Sequence, residues 1–93
     1  MDAKKIQEVI DIYRTELEKR EINPIDFLHE ALLPKDGVND LILGHCLGML
    51  PKMEEFLNEG RLDKAFRWLG FIQGALWVQR IYSLEELMNH NRP

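Results

Sequence analysis

The side chains of this sequence best suited to holding a charged, flat partner gather in its C-terminal half. Arg67 and Trp77 bracket Gly70 and Gly74 on one side of an apolar stretch that also carries Gln73, and His45 and Arg92 supply two further polar groups. A guanidinium grips an anion through paired N–H donors, an indole stacks on a base, and glycine admits close approach of a backbone or a flat ring. That set suits a compact anion bearing an aromatic base, such as a nucleotide. Arg67 and Arg92 would hold the anion, Trp77 would stack, and Gln73 and His45 would complete the recognition surface. The plainer alternative is that the arginines are solvated and the tryptophans are core.

Reactive chemistry finds less support. None of His29, His45 and His90 has a second His or Cys at a spacing that shares a helix face; His45 and Cys46 are adjacent and point apart, so no metal site is expected. The histidines read as solvent-facing or capping groups. Cys46 falls on an expected core face, where a thiol is inert, and as a single cysteine it permits no internal disulfide. Glu54, Glu55, Glu59, Asp63, Glu85 and Glu86 do not reproduce the glutamate pairs with which helical nucleotide pyrophosphatases hold magnesium on facing helices. Such an enzyme is the remote alternative. The chain is read as non-catalytic and without a cofactor.

The elements that must position these groups are helices. Asp2 caps a first helix whose apolar face is Ile6, Val9, Ile10, Tyr13 and Leu17. Asn23-Pro24 signals a short second helix to Leu32 or Leu33, followed by a turn at Pro34–Gly37. A third helix, capped by Asn39 or Asp40, runs to Gly60 with Pro51 inside it, where a kink or a split near Met49 and Leu50 is expected. A fourth covers Leu62 to Arg80 with the core stripe Leu62, Ala65, Phe66, Leu69, Ile72 and Leu76. Ser83 and Glu86 form a capping box for a short last helix. The expected fold is all-α: one domain over residues 1–93, a small bundle of four helices plus a short C-terminal one, with helices three and four as an antiparallel hairpin.

Two pairs of glycines sit four residues apart, Gly44 with Gly48 and Gly70 with Gly74, both away from the apolar stripes of their helices. Each costs about 1 kcal/mol against alanine in an exposed helix interior. Close approach of another backbone or of a flat ligand would offset that. The fourth helix is moreover apolar nearly all round, which a chain of 93 residues has little material to cover, so a homo-oligomer is expected.

Net charge of −4 disfavours long nucleic acid, and Arg61, Lys64, Arg67 and Arg80 are interleaved with acids and make no continuous basic stripe. The longest apolar run, Trp68 to Val78, is too short for a bilayer, and the first residues lack the apolar core of a signal peptide. A cytoplasmic protein without membrane attachment is expected.

The run from Gly60 to Trp77, GRLDKAFRWLGFIQGALW, followed by Tyr82-Ser83-Leu84-Glu85-Glu86-Leu87 and His90-Asn91-Arg92-Pro93, resembles small proteins of tailed bacteriophages and prophages. The resemblance covers about the last third of the chain, with a weaker echo over His45 to Met53, and it implies a setting, the host cytoplasm, with no defined reaction. Small non-catalytic phage proteins commonly act by binding. The leading expectation is a homo-oligomer that sequesters a small anionic ligand such as a nucleotide signal of antiviral defence. The alternative is an inhibitor or adaptor that docks on a host protein through helix 62–80.

Overall fold

A computed structural model of the chain describes residues 1–26 and 40–93, and every regular element among them is a helix. The helices are α1 (Ala3–Lys19), α2 (Asp40–Asn58), α3 (Leu62–Val78) and α4 (Leu84–Asn91). α2 and α3 pack against each other, α1 lies across both, and α4 closes against α1 and α3.

α1 forms as its periodicity predicts. Asp2 accepts a hydrogen bond from the Lys5 backbone N–H at 2.9 Å, and Ile6, Val9, Ile10, Tyr13 and Leu17 are all fully buried. Across the core they meet Leu43, Cys46, Leu50 and Met53 of α2 and Ala65, Leu69, Ile72 and Leu76 of α3. Among the described residues α2 covers Asp40–Asn58 and continues unbroken through Pro51. The split near Met49 and Leu50 does not occur. Pro51 removes one backbone donor from the exposed side, while Leu50 and Met53 on either side of it are fully buried and hold the axis.

α1, α2 and α3 end in one shared way. After each comes a residue with positive φ: Glu21 at 61°, Gly60 at 75° and Arg80 at 63°. The next residue donates its N–H back to the last turn, Ile22 to Leu17, Arg61 to Phe56 and Ile81 to Leu76, at 3.1, 2.8 and 2.9 Å. This is the Schellman arrangement, with Ile22 and Ile81 packed on the core as it favours. α3 therefore stops at Val78, two residues before the expected Arg80.

α4 starts from the predicted box, with Ser83 Oγ accepting from the Glu86 N–H at 3.1 Å and Glu86 Oε1 from the Ser83 N–H at 2.9 Å. The expected second helix is not found where it can be judged, because residues 24–26 are not helical. Its remainder lies outside the described residues, as do the Pro34–Gly37 turn, His29 and Asn39.

Candidate functional site

The two glycine pairs have different surroundings. A Cβ on Gly44 would stand 2.5 Å from the Asn23 carbonyl oxygen, and one on Gly48 would fall inside the contact distance of the Ile25 carbonyl. The segment Asn23–Asp26 lies over both glycines as a strap: the Ile25 N–H donates to the Gly44 carbonyl at 2.9 Å, and Lys52 pairs with Asp26 at 3.0 Å. The backbone that needs these glycines belongs to the chain itself. Pro24 does not start a helix here: residues 24–26 are not helical, and their backbone makes this close approach instead.

At Gly70 and Gly74, apart from the adjoining backbone of α3 itself, no atom of the described residues lies within 4 Å of where a Cβ would be. Both glycines are exposed, and around them α3 carries Phe66, Phe71, Trp77 and Val78 at 52%, 60%, 48% and 67% exposure. Successive residues of a helix turn by about 100°. Gly70, Gly74, Arg67, Trp77 and Val78 accordingly share one side, with Phe66 and Phe71 at its two margins. His45 of α2 borders this side, its ring edge-on to Phe71 with centroids 6.2 Å apart. Phe66 and Leu62, expected in the core stripe, are exposed. Phe66 sits one step beyond the edge of the buried arc set by Ala65, Leu69, Ile72 and Leu76, and Leu62 sits in the first turn.

Gln73 is turned the other way. Its Nε2 donates to the Tyr13 hydroxyl at 2.9 Å and to Asn91 Oδ1 at 2.7 Å, while Asn91 Nδ2 returns a bond to Gln73 Oε1 at 3.2 Å. Tyr13 also meets His90 Nδ1 at 3.1 Å, and Tyr82 packs on both rings, 5.5 Å from Tyr13 and 4.7 Å from His90. The hydroxyl accepts from Gln73 and, in the tautomer with Nδ1 unprotonated, donates to His90. Burial pushes the Tyr13 hydroxyl up to about 12, and burial also lowers His90 from its ordinary 6.5, with Lys5 adding to the lowering and Glu86 opposing it. This cluster joins α1, α3 and α4, and it went unseen in the sequence because its members are up to 77 residues apart. Its one local signal is the run of polar residues ending α4.

Arg92 ends α4, with its guanidinium on Asn89 Oδ1 at 2.6 Å. Of the seven residues expected to line a ligand surface, Arg67, Gly70, Gly74 and Trp77 share a face and His45 borders it. Gln73 and Arg92 are engaged elsewhere.

The other reactive groups are structural. Cys46 is fully buried, and burial raises its thiol to about 12. Glu54 takes both nitrogens of the Arg14 guanidinium and a bond from Gln7 at 2.7 Å, and these hold its carboxyl below the ordinary range. Glu59 lies 3.7 Å from Arg61, and Lys64 rests over the Phe56 ring at 4.6 Å. Phe56 in turn takes the Trp68 ring edge-on at 4.9 Å. Among the described residues no group of three His, Cys, Asp or Glu could hold a metal ion, and no helix is long and apolar enough to cross a membrane. Two open grooves away from α3, about 740 Å³ beside Lys4, Lys5 and Pro93 and about 590 Å³ beside Arg14, Glu18 and Pro51, are lined by both charge signs and by no aromatic ring.

What the α3 side can do is bury apolar surface and let a backbone approach closely. Comparison with known proteins finds no matching family model, curated protein or solved structure.

Proposed function

We propose that this chain is a non-catalytic, protein-binding helical module that acts through the exposed side of α3, of the kind tailed phages place in the host cytoplasm. The observation that carries the reading is the open pair Gly70 and Gly74 set among exposed Phe66, Phe71, Trp77 and Val78. A contiguous exposed apolar patch of a few hundred Å² is about the size of the largest on a typical monomer, and such patches are often functional. A helix laid against α3 would meet glycine backbone at the centre and aromatic rings at the flanks, the arrangement of a helix-packing seat.

Sequestration of a small anionic ligand such as a nucleotide is the second reading. Arg67 and Trp77 on one face favour it. Gln73, bound to Tyr13 and Asn91, and Arg92, bound to Asn89, are unavailable to it without breaking those contacts. The protein-binding reading keeps all the exposed groups in use.

A photo-crosslinking amino acid at position 71, tested in a lysate of cells producing the protein, separates these readings. A covalent polypeptide adduct is expected from position 71 and none from position 12, which is exposed on α1. No adduct from position 71, together with a melting shift on adding nucleotides, would favour the ligand instead.

A further inference from the structure

We infer that the partner seated on the α3 side is a second copy of this chain, crossing it antiparallel about a two-fold axis midway between Gly70 and Gly74. The inference rests on the protein-binding reading and names its partner. The α3 side is self-complementary in sequence position. Arg67 lies three residues before Gly70 and Trp77 three residues after Gly74, while Phe66 and Val78 lie four before and four after. An antiparallel copy centred between the glycines brings residues equidistant from that centre to the same level, as an isologous contact requires. The two-fold keeps each flank of the contact on its own side, and at about 100° per residue Phe66 and Trp77 lie on one flank with Arg67 and Val78 on the other, so Phe66 meets the partner subunit's Trp77 and the Arg67 stem meets the partner subunit's Val78. Each contact is made twice, so the interface contains two aromatic pairs and two arginine stems laid on valine, and sets no like charges opposite each other.

Area supports a copy over a small ligand. Taking ~150–250 Å² for a whole aromatic side chain, half-exposed Phe66, Phe71 and Trp77 together with Val78 offer roughly 400 Å² of apolar surface. With the glycine backbone and the Arg67 stem added, about 600 Å² per copy, or about 1,200 Å² in all, reaches the lower end of specific protein interfaces. Gly44 and Gly48 show what this spacing achieves within the chain, where it seats the backbone of residues 23–25. At Gly70 and Gly74 the same spacing is open.

Sedimentation equilibrium of the purified chain, with helix content checked by circular dichroism, tests the pairing. The wild type should approach twice the 11.0 kDa chain mass at micromolar concentration. Trp77→Arg removes both aromatic pairs and should weaken association by about tenfold or more. The exchange Phe66→Trp/Trp77→Phe keeps the pair and should retain most of the association. A mass of one chain at every concentration, or an exchange variant no better than Trp77→Arg, overturns the inference. A monomeric chain that still yields a position-71 adduct with another polypeptide overturns this inference alone; no adduct at all overturns the protein-binding reading with it.

Discussion

Gln73 and Asn91 exchange hydrogen bonds in both directions, 2.7 and 3.2 Å, and this amide pair ties α3 to the last turn of α4. Removing one partner leaves the other part-buried and unsatisfied. Gln73→Ala should lower unfolding free energy by about 1–3 kcal/mol, since it also takes a donor from the Tyr13 hydroxyl. Denaturant unfolding measures it, and α4 amides should lose hydrogen-exchange protection first.

The neighbouring His90 makes the same end of the molecule pH-sensitive. Its proton affinity is lower when folded, so the unfolded chain binds the proton first as pH falls through 6.5. This contribution is complete above 6.5 and is lost as pH drops below it. Protonation also turns Nδ1 into a donor, so that it no longer accepts the Tyr13 hydroxyl proton. Glu54, lowered by Arg14, adds a loss in the same direction as pH falls below 4.5. The melting temperature should therefore fall as pH drops below about 6.5, and His90→Phe should flatten that segment of the curve while lowering stability at neutral pH.

The glycine pairs should respond oppositely to alanine. Gly48→Ala drives a methyl into the Ile25 carbonyl, a backbone atom that cannot turn aside, and should cost about 2–4 kcal/mol. Gly74→Ala meets no atom of another described element, so the folded monomer should gain about 1 kcal/mol from helix propensity. Self-association of the same variant should weaken, because the methyl holds the second helix away. Thermal melts at low concentration and sedimentation at high concentration read the two effects separately.

Glu21 and Arg80 occupy the left-handed position after α1 and α3, where the third example of the motif has Gly60. An L side chain there costs about 1 kcal/mol or more. Arg80→Gly and Glu21→Gly should each stabilise the chain by up to about 1 kcal/mol, and Gly60→Ala should destabilise it by a similar amount. Chemical denaturation of the three variants checks the set.

What the sequence made legible was local. Five apolar residues at helical period define α1, and Ser83 with Glu86 defines the start of α4, because each signal lies within a few turns of chain. The strap is illegible for the same reason: Asn23-Pro24 has the local signature of a helix start, and only Gly44 and Gly48, some twenty residues on, seat a non-helical backbone there. Gln73 was assigned to the outer surface because its partners, Tyr13 and Asn91, converge on it only through packing. Phe66 shows the limit of angular reasoning, since a residue at the edge of an apolar arc is buried only if a neighbouring helix reaches it. The side bearing Arg67, Gly70, Gly74 and Trp77 was identified from spacing alone, and those four residues do share the exposed side of α3.

The self-complementary α3 side is tested most directly by isotope-filtered NMR on a mixture of labelled and unlabelled chain. Contacts between the Trp77 ring of one copy and the Phe66 ring of another, seen only in the mixed sample, are the predicted result. A concentrated mixed sample in which the Trp77 ring shows contacts only within its own chain would contradict it.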